Sequence, residues 1–301
     1  MNFFKSKALK QIESLHPVKD AWKIVQLTLF YEFPWDYNRA LELALYKTFA
    51  VPSISKILMQ SGQFTNFAQK RYDDTDLLLS EIIENGMSPK GLEAIAHMNW
   101  IHSNYKISNE DYLYVLSTFI FDSARWINTY GYRQLTKNEE IAGFYVWLEI
   151  GEQMQIKHIP PSIQAFKKYH DEYECDHFLF DEKNKKLAIT TENLMLSWYL
   201  PKSMYDFFRP VLHAVMEPHL LKSFDFKEPH HIMQYAITQV LKTRSSIASL
   251  FPRNEPLLRT KEPHRYYKNG YQLYDIGPDK LKKTCPYHTV KEQVSKLAVN
   301  L

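Results

Sequence analysis

Two side chains in the stretch RYDDTDLLLSEIIENG, residues 71–86, fall where a soluble helix should be apolar. With about 100° per residue, a helix opening at Thr65 brings Ala68, Arg71, Thr75, Leu78, Leu79 and Ile82 within roughly one quarter-turn, and directs Asp73, Asp74 and Asp76 elsewhere. A guanidinium inside an apolar stripe is expensive unless it meets an opposite charge. Two kinds of partner would meet it. One is an internal Asp or Glu. The other is the carboxylate or phosphate of a ligand, for which arginine's planar donors are shaped. Thr75, one turn on, adds a hydroxyl beside the fork.

The following helix carries GLEAIAHMNWIHSNY. His97 and His102 are five residues apart, so they point about 140° apart and do not chelate one metal as an i, i+4 pair would. His102 falls on the side of Leu92, Ile95, Ala96, Met98 and Asn99. His97 falls opposite, near Lys90 and Glu93, and is expected in solvent. An inward histidine is more often a hydrogen-bonded core residue than a ligand. A buried cationic fork and a buried imidazole on consecutive helices are nevertheless what a haem pocket requires, one for the propionates and one for the iron.

Other candidates carry weaker signals. Asp122 and Arg125 are three apart on one helix and can pair, or Arg125 can reach a ligand acid. With 12 histidines, zinc has to be weighed. His170, Glu174, Cys175 and His177 form one group, His213 and His219 a second, His230 and His231 a third. None has H-E-x-x-H or another known ligand spacing. No G-x-S-x-G, G-x-G-x-x-G or P-loop pattern is present.

The elements that must position these residues are helical. A helix is expected over about 37–48, another from Pro52, and one from Thr65 to Glu84 that stops at Asn85-Gly86. Ser88-Pro89 opens the next, to about Asn104. Ser108 with Asp111 starts a long helix ended by Gly131, and Thr136 with Glu139 forms a capping box. Further helices are expected at about 161–174, 190–199, 203–221 and 230–249. The stretch HFLFDEKNKKLAIT is a candidate hairpin. From residue 252 to 301 the chain is rich in proline, charge and tyrosine, and is expected to wrap irregularly over one helical domain spanning 1–301.

Bulk properties narrow the classes. The chain has 301 residues, of which only 8 are glycine, too few for sandwiches or phosphate-binding loops. A net charge of +3 is too small to imply nucleic acid. Two distant cysteines, Cys175 and Cys285, exclude a disulfide scaffold and suit a reducing compartment. No apolar run is long enough for a transmembrane span. The opening MNFFKSKALKQIESLHP is neither long nor apolar enough for a signal peptide, and reads as a terminal helix packed on the domain. A soluble, cytoplasmic protein is expected.

Three stretches together resemble one oxygenase family: ALYKTFAVPSISKILMQSGQF, the R-x-x-x-T pair Arg71–Thr75, and AIAHMNWIHSNYKISNEDYLYVLSTFIFDSARWINTYGYRQLTKNEE. The family includes the fungal MpaB-type oxygenases and the bacterial latex-clearing rubber oxygenases. Resemblance to the MpaB-type branch is continuous from about residue 30 to 174 and returns in SLFPRNEP and NGYQLYDIGP. Likeness to the rubber oxygenases is limited to the R-x-x-x-T pair and the following histidine. The resemblance implies an all-α, globin-reminiscent bundle that binds haem b, with His102 as the axial iron ligand and Arg71 and Thr75 lining the pocket. Arg253 aligns loosely with a family arginine near the haem. Dioxygen and an apolar, isoprenoid-like molecule would be the substrates. The glutamate that rubber oxygenases carry upstream of the arginine has no counterpart, because no acid lies between Glu42 and Asp73. MpaB-type members include membrane-anchored proteins, and this chain has no span. The alternative reading is a haem-free helical protein that binds a lipid or an acidic hydrophobic ligand, with Arg71 gripping the acid.

Overall fold

The computed structural model describes residues 5–286. Among them the helices are, in order, α1 (Lys7–Ser14), α2 (Ala21–Leu27), α3 (Pro34–Thr48), α4 (Pro52–Ser61), α5 (Gln63–Asn66), α6 (Ala68–Asn85), α7 (Pro89–Ser103), α8 (Asn109–Tyr130), α9 (Lys137–Gln153), α10 (Ile163–His177), α11 (Glu182–Ser197), α12 (Tyr205–His213), α13 (Pro218–Ser223), α14 (His231–Ser249) and α15 (Asp279–Lys282). A π segment, Thr28–Glu32, joins α2 to α3, and no strand occurs among the described residues. The fold is all-α.

Local chemistry sets most helix ends. The Ser88 hydroxyl accepts from the Gly91 amide at the start of α7, with Pro89 at its first position. Ser108 accepts from Asp111 at the start of α8, and both halves of the Thr136–Glu139 capping box open α9. Three expectations need correction. Thr65 does not cap α6: it lies in the short α5 behind the left-handed Gly62, its hydroxyl donates to the Gly62 carbonyl, and α6 begins at Ala68. The candidate hairpin is instead the start of α11, because Asp181 accepts from the Lys183 amide and nucleates a helix. The helix expected over 203–221 breaks before Pro218, whose ring holds Glu217 extended, with φ −74° and ψ 152°.

The chain divides into two units, Met1–Gln60 with Ile107–Leu257, and Ser61–Lys106 with Leu258–Leu301. In the first unit α3 packs along α8, α2 along α9, and α10 and α14 also meet α8. Tyr114 of α8 is fully buried and stacks on Tyr173 of α10, with centroids 4.5 Å apart and planes at 11°. Val51 and Ile54 complete that cluster.

In the second unit α6 packs on α7, and the segment from residue 258 is tied to α6 by polar bonds. Arg259 pairs with Asp76, the Thr260 amide donates to Glu84, the Tyr266 amide donates to Asp73, and Tyr271 donates to Glu81. Gly277 has φ +110°, its carbonyl accepts from Lys70 Nζ at 2.6 Å, and a Cβ there would lie 2.9 Å from Ile101 Cδ1. Only glycine suits that turn. The segment expected to wrap irregularly does contain short 3-10 turns, Arg259–Lys261 and Leu273–Asp275. Its last part, residues 287–301, lies outside the described residues, as do residues 1–4.

Candidate functional site

Of the polar groups buried in the molecule, two bear on the candidate residues, and their electrostatics differ.

In the second unit Arg71 and Thr75 are one turn apart on α6, and both are partly buried. An Arg71 Nη1–H donates to the Thr75 hydroxyl, which in turn donates to the Arg71 carbonyl at 2.9 Å. The guanidinium lies 5.2 Å from the centre of the Phe64 ring. No carboxylate among the described residues forms an ion pair with Arg71. The acids around it are committed elsewhere: Asp74 to Lys70, Asp76 to Arg259, and Asp73 to the Tyr266 amide and Gln69. The internal bridge that would make Arg71 purely structural is therefore not formed within this unit's described residues. Burial pushes the Arg71 guanidinium pKa down, and the nearby Asp74 and Tyr105 offset only part of this.

His102 of α7 comes close enough to Arg71 to feel its charge. Burial, reinforced by that charge, pushes the imidazole pKa down to about 4. At neutral pH the ring is therefore uncharged. Tyr105, three residues on, carries a buried hydroxyl with no hydrogen-bond partner among the described residues, and its pKa is raised by burial. Sequence reasoning missed Tyr105. It follows the helix as a single aromatic among polar residues, and nothing in its spacing marks it.

His97 corrects the expectation of a solvated side chain. It is 1% exposed, its Nε2 is 2.9 Å from the Ile276 carbonyl, and its ring stacks on Trp100. The face of α7 that carries Lys90 and Glu93 near its start is covered at His97 by the segment around Ile276. A helical wheel of α7 alone does not contain that segment.

In the first unit the buried polar group centres on Lys47 of α3, which is fully buried. Its ammonium lies 2.8 Å from Asp122 and 2.5 Å from Glu174. Glu174 also meets His170 Nε2 and His219 Nε2, each at 3.2 Å, and the Tyr114 hydroxyl at 3.3 Å. Ser117 Oγ lies 2.9 Å from His170 Nδ1. Burial would raise the Glu174 pKa, but the hydrogen bonds from both histidines and the Lys47 charge outweigh it and hold the carboxyl well below the usual carboxylate range. Asp122, His170 and Glu174 lie close enough together to share a cation. The Lys47 ammonium already occupies that role, so the donor set does not fit a divalent ion.

Arg125 also belongs to this first-unit network. One of its guanidinium nitrogens is 2.7 Å from Asp122, and another pairs with Glu217. Arg253, also in the first unit, is exposed. The first unit holds, besides, an apolar cavity of about 220 Å³ lined by Leu29, Phe119, Ile127, Phe144 and Trp147.

A protein of Penicillium brevicompactum named ER-bound oxygenase mpaB′ is 27% identical over 237 residues, covering 72% of this chain and 55% of the relative. An ER-bound oxygenase mpaB of Penicillium roqueforti (strain FM164) is 28% identical over 231 residues, covering 70% and 76%. Another mpaB, from Penicillium brevicompactum, is 29% identical over 187 residues, covering 55% and 47%. The chain thus spans about half the length of two of these relatives and three quarters of the third. The family model for "ER-bound oxygenase mpaB/B'/Rubber oxygenase, catalytic domain" matches residues 44–241, which begins later and reaches further than the 30–174 stretch of strongest resemblance. That match takes in α6, α7 and α8 whole, with Arg71, Thr75 and His102 inside it, and the chain belongs to this oxygenase family.

Proposed function

We propose that the protein is a haem b-dependent oxygenase that uses dioxygen to oxidise an apolar, isoprenoid-like substrate, by double-bond cleavage or a related step. One observation supports this most: a partly buried arginine without a carboxylate partner among the described residues lies beside an imidazole that stays neutral. Those are the forms that propionate and iron require. Bound haem would supply the activation of dioxygen. His102 would hold the iron through its neutral ring, and its low pKa keeps a proton from competing at neutral pH. Arg71 would meet a propionate with the donors that Thr75 leaves, and Thr75 would hold the fork in place. The Tyr105 hydroxyl would find its hydrogen-bond partner in the bound group.

The acid/base residue is left unassigned, because the rubber-oxygenase glutamate has no counterpart here. The cytoplasm is our assignment of compartment. Both cysteines are free thiols, and no helix among the described residues is long and apolar enough to cross a membrane. The relatives are named ER-bound, and contact with a membrane surface is compatible with a cytoplasmic protein.

The test is optical. Protein produced with ample haem should show a Soret band that His102→Ala removes while far-ultraviolet circular dichroism is kept. A chain that shows no Soret band and takes up no haem on titration has another function. In that case retention of an acidic hydrophobic ligand by His102→Ala, and its loss in Arg71→Gln, would identify a binding protein.

A further inference from the structure

Helices α2, α3, α8, α9 and α10 of the first unit leave a cavity of about 220 Å³ between them. Its walls are mostly apolar and rich in rings. Phe119 of α8 and Trp147 of α9 stack there, with centroids 4.5 Å apart and planes at 11°, and Phe121 and Phe144 lie beside them. Gly143 of α9 also lines the cavity, and a Cβ at that position would meet no other atom within 4 Å. Glycine inside a helix is a poor choice, since it costs backbone entropy and adds no packing. At Gly143 the missing side chain leaves space open.

The charges along the cavity are already engaged or lie at the surface. Glu139 is one of the lining residues, but Arg133 holds both its oxygens, and the Thr28 hydroxyl and the Thr136 amide add to this. Glu140 and Lys167 are exposed, and Lys167 pairs with Asp171. A charged guest would enter without a partner, which is costly. Two hydroxyls are placed differently. Tyr37 and Ser123 both line the cavity, and each carries a buried oxygen with no hydrogen-bond partner among the described residues. Ser123 is 6% exposed. Burial pushes the Tyr37 pKa up, so the phenol keeps its proton and can donate. A buried hydroxyl without a partner is destabilising, and a guest that supplies the partner removes that penalty.

A mostly apolar cavity with a small number of polar groups is the ordinary form of a small-molecule site. An apolar cavity of about 150 Å³ takes benzene, so this one has room for a single ring with a short substituent. We propose that the first unit binds one neutral, largely apolar ring compound in this cavity, with an oxygen that accepts from the Tyr37 or Ser123 hydroxyl. This rests on the first unit's own cavity and is independent of haem.

The experiment is isothermal titration calorimetry of the full chain with acetophenone, with isopropylbenzene, which has the same outline and no oxygen, and with benzoate, an anion of similar size. The wild type should take up one acetophenone per chain and no benzoate. Gly143→Leu puts a side chain into the open space, and should abolish uptake of acetophenone and isopropylbenzene while circular dichroism is unchanged. The double variant Tyr37→Phe, Ser123→Ala should weaken acetophenone about five- to tenfold, the worth of one net hydrogen bond, and leave isopropylbenzene unweakened. Should Gly143→Leu not fold, the double variant decides. Four results overturn the proposal. The wild type can take up no acetophenone, or can bind benzoate as tightly. Gly143→Leu can keep the wild-type affinity, which puts the guest elsewhere. The double variant can bind acetophenone as the wild type does, which leaves the two hydroxyls to water. None of these bears on the Soret band, so failure here and failure of the haem reading are distinguishable.

Discussion

The Lys47 network of the first unit and the Arg71–His102 pair of the second both take cations out of water, by opposite means. Around Lys47 the charges close on one another: Asp122 and Glu174 flank the ammonium, His170 and His219 hold Glu174, and Arg125 covers Asp122 and Glu217. The Glu174 pKa falls because its charged form is the best-partnered one. Around Arg71 the acids are engaged by Lys70 and Arg259, and the pKa values of both Arg71 and His102 fall because burial disfavours their charged forms. A closed network holds helices in register. An open one keeps its donors available, and a protein tolerates that cost where something else completes the site.

Changes to each region should separate the two roles. Lys47→Met leaves two carboxylates buried together, and urea denaturation should show a loss of about 3–5 kcal/mol. A loss under about 1 kcal/mol would mean that the network relaxes or takes in water. Acid should affect the second region next. The His102 pKa is depressed to about 4, so the unfolded chain binds the proton first, and the contribution is complete above about pH 6.5 and declines as pH falls. At pH 4 the haem-free protein should have lost at most about 3 kcal/mol from this group, less where solvent reaches the ring. His102→Gln should remove that slope, and parallel pH profiles for the two proteins would contradict it. Glu174 acts lower on the scale: its depressed pKa makes its contribution present above about pH 4.5 and lost below, so Glu174→Gln should flatten that more acidic limb.

Arg71→Gln should leave folding nearly unchanged while weakening haem uptake about tenfold, the worth of one charge-assisted pair. A large fall in stability with unchanged haem affinity would make Arg71 structural. Arg125→Ala is the smallest change expected, about 0.5–1 kcal/mol, because its side chain is 40% exposed and solvent screens the pair. Its haem spectrum should be that of the wild type.

Much of this was legible in the residues. Helices α7, α8 and α9 start where Ser88, Ser108 and Thr136 announce them. Helical spacing sets Arg71 and Thr75 on one face of α6, but Asp73 and Asp74, which it directs elsewhere, are more deeply buried, because Tyr266 and Tyr267 from a distant segment cover them. The Asp122–Arg125 pair was also visible, since partners three apart on a helix need no long-range fold. His97 was not legible, because what covers it comes from Ile276, 179 residues away. Lys47 could not be foreseen as a core residue, since its two carboxylates come from α8 and α10. The hairpin expected before α11 failed for the opposite reason: one local cap at Asp181 outweighed a short apolar run.

By itself, then, the sequence determined what depends on neighbours within a turn or two: the helices, their caps, the stripe that turns an arginine inward, and the family resemblance. Tertiary structure alone decided which charges are closed by a partner, and that His97 is covered by the segment around Ile276. The reason is physical. A side chain's cost in burial depends on its partners, and those partners are brought by helices far away in the chain.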